Sequence, residues 1–332
     1  MNPAKTFATL VLIMCMVPAS FSHHRKPYLA KDDYVAYHRT VSQAEALIVD
    51  QNYERALSLY EQLIKTYDFV FLREYKLATQ LALQVGHTSD AFDYLKAGIQ
   101  HGWTMKSIKK NKFLSRLQHY HAWHSLENQY DSLRAQYEKR LNAEIREEVK
   151  KMFGKDQRKA FAALLRFSNQ ARERYADQTF APHSERQMQQ LHTILNAHGY
   201  PGEKLIGNNY WASVIISHHN SISKAYAVND TIYPIIRPKL VKALEMGQLS
   251  AYEFAMIETW YLSIKTGRKA YGYLVSELTE AERDEANQLR EALGLSSIET
   301  INQLLNSYRQ TGINPYLPGR VDFISTKTVA VN

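Results

Sequence analysis

Apolar residues recur three or four positions apart along most of this chain, which is the spacing of one face of an α-helix. Between residues 33 and 123 they fall in short blocks, which are separated by turn-like residues at 50–52 and 86–87. The 332 residues include only 13 Gly and 9 Pro, which are few for the many turns of an all-β fold. The spacing therefore predicts an all-α protein.

The first blocks repeat. Ala56 and Ala91 stand 35 positions apart, and the same shift brings Tyr60 onto Leu95. A small residue followed one turn later by a bulky one suits the packing of stacked helix pairs. The pattern resembles tetratricopeptide repeats, whose period is 34 residues. This resemblance implies a helical-hairpin repeat module over residues 33–126, with a concave face that binds another protein or a peptide.

A long helix is predicted next, because apolar residues keep the helical spacing from 126 to 152 and Gly154 follows them. We expect this connecting helix, residues 127–154, to join the repeat module rigidly to a second helical domain, residues 155–318. In that domain Ser250 and Glu253 have the spacing of a capping box at the start of a helix. Residues 319–332 are predicted to form a C-terminal tail.

The second half carries short motifs in a fixed order. They are Met152 with residues 155–158, residues 191–195 leading into 199–201 and 205–207, Trp211 with 216–219, Ala243-Leu244 with Gly247, Glu258, Tyr271-Gly272, and Arg309 with Gly312 and Pro315-Tyr316. In this order they resemble a domain family of unknown function found in exported bacterial proteins, often after helical repeats. The resemblance covers residues 144 to 318.

The resemblance supplies the candidate site residues. The family has Gln-His at Ser217-His218, Asp-Arg at Glu258-Thr259, and Tyr-Gly-Thr-Gln at residues 271–274. If those polar residues are catalytic in the family, this chain keeps an imidazole, a carboxylate and a phenol, in His218, Glu258 and Tyr271. The first two could exchange a proton while the phenol orients a substrate. The alternative is that these side chains serve packing. Ligand-binding candidates in the same motifs are Tyr200, Trp211 and His219.

A histidine-rich stretch precedes the connecting helix. His121, His124 and Glu127 stand three residues apart, so one helix face could offer two nitrogens and an oxygen to zinc. The sequence shows no fourth ligand, and a surface role is the alternative that we favour. We therefore expect no metal.

The densest basic stretch contains Lys106, Lys109, Lys110 and Lys112. Such a patch could bind an acidic envelope component, for example a phosphate-bearing polymer or anionic lipid heads. A solvated loop is the alternative. Elsewhere the 41 basic residues are interleaved with 33 acidic ones, so the net charge of +8 does not indicate nucleic-acid binding.

The N-terminus has the form of a secretory signal peptide over residues 1–22. Lys5 precedes an apolar stretch at 7–17, and the small residues Ser20 and Ser22 suit cleavage after Ser22. The stretch is shorter than the roughly 20 residues that span a bilayer, so we expect no transmembrane span. Lipid attachment at Cys15, the chain's one cysteine, is the alternative. The sequence thus predicts a periplasmic or extracellular protein.

Several enzyme classes are disfavoured, since the sequence lacks a Gly-rich phosphate loop, a Gly-x-Ser-x-Gly elbow and a His-Glu-x-x-His pair. We therefore expect no cofactor. The sequence favours an exported adaptor or scaffold that binds a protein or peptide. The alternatives are an envelope hydrolase-like enzyme, or a small-ligand-binding domain, that uses a pocket around His218, Glu258 and Tyr271.

Overall fold

The computed structural model describes residues 33–275, 277–317 and 327–329, and these fold almost entirely into helices, which confirms the predicted all-α class. The helices are α1 Tyr34–Val49, α2 Tyr53–Thr66, α3 Leu72–Gln84, α4 Thr88–Gln100, α5 Met105–Lys110, α6 His121–Arg140, α7 Ala143–Leu164, α8 Asn169–Tyr175, α9 Ala181–His198, α10 Glu203–Ile206, α11 Trp211–Asn220, α12 Lys224–Asn229, α13 Ile232–Glu245, α14 Ala251–Thr266, α15 Glu280–Ala292 and α16 Ile298–Thr311. Short strands β1 Glu277–Thr279 and β2 Lys327–Val329 pair in parallel. The predicted signal peptide and Cys15 lie outside the described residues.

Helices α1 to α4 pack on one another in chain order. Ala56 and Ala91 are fully buried, and so are Tyr60 and Leu95 one turn later. The two turns occupy equivalent positions, and both need a left-handed residue: Gln51 has φ 57° and Gly86 has φ 86°. The short polar turns therefore let each pair of helices fold back on itself.

The predicted connecting helix is two helices. Leu141 is extended, with φ −81° and ψ 147°, and it separates α6 from α7. Asn142 then caps α7, because its Oδ1 accepts a hydrogen bond of 3.0 Å from the Ile145 amide. Gly154 lies inside α7, where a glycine costs about 1 kcal/mol relative to alanine. Burial of Val149 and Met152 on the same helix offsets that cost.

The C-terminal segment returns to the N-terminal helices. Gln80 of α3 donates to the Asn314 carbonyl and accepts from the Asn314 amide, both at 2.9 Å. Arg73 Nε donates to the Pro315 carbonyl at 3.0 Å. His38 of α1 accepts a 3.3 Å hydrogen bond from the Ala251 amide at the start of α14. The face of α1 and α3 that points toward the second half is thus covered by the chain itself.

Helix α11 lies at the centre of the second half, where it packs against α7, α9 and α14. This arrangement places Asp156 of α7 beside His218 of α11. Among the described helices, none combines the length and the apolar character needed to cross a bilayer.

Candidate functional site: a two-chamber cleft

Two neighbouring cavities, which we together call the cleft, lie around the start of α14: one is within the second half and the other is between the two halves. The apolar chamber, of about 270 Å³, lies between α11 and α14. The polar chamber, of about 260 Å³, lies between α3, the 203–210 segment and the start of α14. Both are bordered by Tyr210, Tyr252 and Glu253, so the chambers meet at these three residues. Together they have the size of a small-molecule site.

His218 borders the apolar chamber and is held by a buried carboxylate. Its Nδ1 lies 2.6 Å from Oδ2 of Asp156, which is fully buried on α7. With Nδ1–H donated to Asp156, the neutral ring carries its lone pair on Nε2. The His218 side chain keeps 30 % of its surface exposed. A buried acid that orients a partly exposed histidine is the arrangement of a general base.

Local structure fixes this pair. Asp156 follows Val149 and Met152 on the buried face of α7, and the 3.6-residue period brings it against α11. On the other side lies a π-helical turn, Ala176–Phe180, whose Phe180 ring is 6.4 Å from the His218 ring. The imidazole is therefore confined between a carboxylate and an aromatic ring.

Glu253 belongs to both chambers. Its backbone amide donates to Ser250 Oγ at 3.3 Å, which is the serine half of the capping box that the sequence predicts; the carboxyl does not complete the box, since it binds the Ser250 hydroxyl and not the Ser250 amide. Its carboxyl accepts 3.3 Å and 3.4 Å hydrogen bonds from Ser250 Oγ and from the Tyr200 hydroxyl. Burial raises the pKa of Glu253 to about 7, although these hydrogen bonds lower it. Near neutral pH this carboxyl can therefore both give and take a proton.

Two further carboxyls line the polar chamber. Burial raises the pKa of Glu74 to about 7 against the lowering effect of Arg73, and burial raises the pKa of Glu203 to about 8. Glu203 accepts a 2.6 Å hydrogen bond from the Leu72 amide. Glu74 is only 4 % exposed, and its Oε2 has no hydrogen-bond partner among the described residues. This oxygen is also closed to solvent, so it lies behind the chamber surface, where burial favours the neutral carboxyl.

The two positively charged residues of the polar chamber, Arg73 and Lys76, have different partners. Arg73 forms an ion pair with the buried Glu45, so its charge is compensated outside the chamber. Lys76 lies over the Tyr316 and Trp103 rings, at 4.8 Å and 5.8 Å from the centroids. Burial lowers the pKa of Lys76, partly offset by Glu203 and Glu74. The chamber is thus bordered by three carboxyl residues, by the Lys76 ammonium and by the compensated charge of Arg73.

The structure separates His218 from the other two catalytic candidates. Glu258 is buried on a different side of α14 from Glu253, where it accepts hydrogen bonds from the Tyr233 hydroxyl and from Arg237 Nε and NH2, the latter at 2.7 Å. Tyr271 is also buried, and burial together with the Glu258 charge raises its pKa to about 12. Glu258 and Tyr271 are therefore neighbours in a structural network, whereas His218 faces the chamber.

The three ligand-binding candidates also have separate places. Tyr200 is buried and supports Glu253 through its hydroxyl. Trp211 begins α11 and its ring stacks 6.2 Å from Phe153. His219 is 1 % exposed, with Nδ1 3.0 Å from Ser184 Oγ and Nε2 3.3 Å from Asp230 Oδ1. Tyr200 thus reaches the cleft through its hydroxyl on Glu253, and Trp211 reaches it through its backbone amide, which donates to Oδ1 of the chamber residue Asn209 at 3.2 Å.

The histidine-rich stretch lies at the surface. His124 is 75 % exposed, and its Nδ1 is 3.9 Å from Glu127, whose carboxylate binds Lys109 Nζ at 2.8 Å. His121 is exposed at the start of α6. The part of the chain that the structure describes contains no group of three His, Cys, Asp or Glu side chains arranged to hold a metal. Lys106, Lys110 and Lys112 are exposed, so the predicted basic patch is accessible.

No protein-family model matches the chain, and no curated protein or solved structure shows significant similarity to it. The assignment of a function therefore depends on the geometry of the cleft.

Proposed function

We propose that this protein is an acid–base enzyme that hydrolyses a small amphipathic substrate bound in the cleft. The observation that carries the proposal is the placement of His218 and Glu253 on one chamber, with Asp156 fixing the imidazole from behind. Acid–base catalysis needs one group that accepts a proton and one that donates a proton, and different environments give the two groups these separate roles.

The roles follow from the two environments. His218 Nε2 accepts a proton from a water molecule, and the water oxygen attacks the substrate as that proton leaves. Asp156 stabilises the imidazolium that forms, as in other carboxylate–histidine pairs. The protonated Glu253 carboxyl donates a proton to the leaving group. Before the next turnover the imidazolium loses its proton and Glu253 regains one, either by direct transfer or by exchange of both protons with solvent. Each cycle thus consumes one water and leaves the protein unchanged.

The shape of the cleft defines the substrate class. Val214, Met256 and Trp260 line the apolar chamber and suit an aliphatic or aromatic portion. Glu203 and Glu253 line the polar chamber and suit a head group that donates hydrogen bonds, because carboxyl oxygens accept them. In this proposal the enzyme works outside the cytoplasm, as its N-terminal sequence predicts.

The adaptor function stays a prediction. The face of α1 and α3 toward the second half already binds residues 314 and 315, so a protein partner would have to use another face of the N-terminal helices.

A panel of p-nitrophenyl esters with acyl chains of two to eight carbons tests the proposal. We expect ester hydrolysis by the full chain, and a fall of about 100-fold or more in kcat/KM for His218→Asn. Asp156→Asn should lose activity as well, because the imidazole loses the partner that orients it.

His119→Asn and Glu147→Gln are matched controls, since both side chains are exposed and lie outside the cleft. Background rates with every ester, or full activity in His218→Asn, would exclude the proposed mechanism.

A further inference from the structure

The end of α7 exposes a cluster of large apolar side chains. Phe161 is 63 % exposed, Leu164 74 %, Leu165 52 % and Phe167 94 %. Such side chains are usually scattered singly on a protein surface, and a contiguous group marks an interaction site. We call residues 161–167 the apolar tip.

The tip is held by folded structure on both sides. Phe161, Leu164 and Leu165 have helical spacing and share one face at the end of α7. Ser168 then starts α8, where its Oγ accepts a 3.1 Å hydrogen bond from the Ala171 amide. The Tyr175 hydroxyl donates to the Lys159 carbonyl at 3.1 Å and ties α8 back to α7. The apolar side chains are thus presented by a fixed helix–loop–helix segment.

Basic residues surround the tip. The segment from 155 to 174 contains six basic and two acidic residues, and one of the acids is the buried Asp156. Within the described part of the chain, none of the six takes part in an ion pair; they are Lys155, Arg158, Lys159, Arg166, Arg172 and Arg174. Arg172 Nε instead donates to the Arg166 carbonyl at 2.7 Å, and the Arg166 guanidinium lies 5.0 Å from the Tyr175 ring centroid. The rim therefore carries uncompensated positive charge.

We infer that the apolar tip docks on the surface of an anionic lipid bilayer. Exposed aromatic and leucine side chains enter the boundary between headgroups and acyl chains, and flanking arginines and lysines bind anionic headgroups. An anionic bilayer surface matches both parts of this segment. The apolar tip matches the acyl-chain boundary, and the basic rim matches the anionic headgroups. The inference is independent of the proposed catalytic function.

Docking would also place the cleft near the lipid surface. Asp156 and Leu164 lie on the same helix, eight residues apart, which corresponds to about 12 Å along the axis. An amphipathic substrate leaving the bilayer would therefore have a short path to His218.

Vesicle binding tests the inference with the full chain. The protein should sediment with vesicles of phosphatidylcholine that contain 30 % phosphatidylglycerol. A much smaller fraction should sediment with pure phosphatidylcholine vesicles, or with the anionic vesicles at high salt. Phe161→Ser with Phe167→Ser should weaken binding at least tenfold. Val228→Ser with Ile235→Ser is the matched control, because these apolar side chains are 55 % and 59 % exposed outside the tip.

A local probe distinguishes the tip from the apolar residues 7–17, which could bind lipid by themselves. Cys15→Ser with Gln170→Cys leaves one cysteine beside the tip for a nitrobenzoxadiazole label, and Gln129→Cys in the same background is the control position. We expect a blue shift and a rise in emission at 170 and no change at 129. No change at 170 would overturn the inference, and so would equal binding by the Phe161→Ser, Phe167→Ser variant. Concentration-dependent self-association through the tip without lipid would overturn it in favour of a second copy of the chain.

Discussion

Charged residues at core positions define the candidate site. Asp156, Glu74 and Glu253 lie on helix faces that otherwise carry apolar residues, for example Val149 and Met152 ahead of Asp156. That signal is present in the sequence, since an acid at the buried phase of a helix must be paired or neutralised. Periodicity cannot say which of these acids share a cavity, because their positions along the chain differ by as much as 179 residues, from 74 to 253.

Glu74→Gln tests the burial of this carboxyl through the pH dependence of stability. The folded pKa of about 7 lies above the ordinary value of 4.5, so the contribution to stability is complete below pH 4.5 and is lost as pH rises through 7. Between pH 5 and pH 9 the wild-type free energy of unfolding should fall by about 3 kcal/mol more than that of Glu74→Gln. Urea unfolding at both pH values measures this difference.

Glu54→Gln is the control, since Glu54 is exposed on α2. Parallel pH profiles for the wild type and Glu74→Gln would mean that Glu74 is solvated in the folded protein.

At the scale of elements, the sequence predicts where helices occur, and it predicts some of their ends but not all. The turn at Gly86 does follow α3, and Ser250 does cap the first turn of α14 through its Oγ. The break between α6 and α7 could not be predicted, because Leu141 and Ile145 continue the apolar spacing through it. The break depends on tertiary contacts: the Asn142 amide donates to the Leu205 carbonyl at 2.9 Å.

Asn142→Ala tests this break. The substitution removes the side-chain cap of α7 and keeps the backbone hydrogen bond to Leu205, so we expect a loss of about 1 kcal/mol in the free energy of unfolding. Chemical denaturation followed by circular dichroism measures the loss. Asn169→Ala, at an exposed first position of α8, should change stability little. Equal stability of Asn142→Ala and the wild type would show that the cap does not determine where α7 begins.

At the scale of the whole molecule, the halves share one core. The sequence predicts two helical regions, and it contains no signal that Asn314 returns to Gln80 or that α16 packs on α1. These contacts join residues more than 200 positions apart, and helical spacing describes only local order. The polar chamber is a consequence of this return, because α3 and the start of α14 border it only when the halves are packed together.

Gly294→Ala tests the packing between the halves. Gly294 has φ 75°, and a Cβ there would lie 2.7 Å from the Arg39 amide nitrogen and 2.8 Å from the Val35 carbonyl oxygen. Gly267 has nearly the same φ, 76°, with nothing within 4 Å of its Cβ position. We expect Gly267→Ala to cost about 1 kcal/mol and Gly294→Ala to cost at least about 3 kcal/mol, measured by thermal and urea unfolding. Equal costs would show that α1 is not held against the turn before α16.

The pH dependence of kcat/KM for an ethyl ester of the best acyl chain tests the central claim most directly, when the wild type is compared with Glu253→Gln. Ethoxide, unlike p-nitrophenolate, must be protonated as it leaves, so this substrate depends on the general acid. If Glu253 is the general acid, its pKa of about 7 requires the wild-type rate to fall as pH rises above 7, because the carboxyl loses the proton that it must donate. Glu253→Gln should be slower at pH 6 and should show no such fall. An unchanged rate at pH 6, together with the same alkaline limb in Glu253→Gln, would contradict an acid–base role for the cleft.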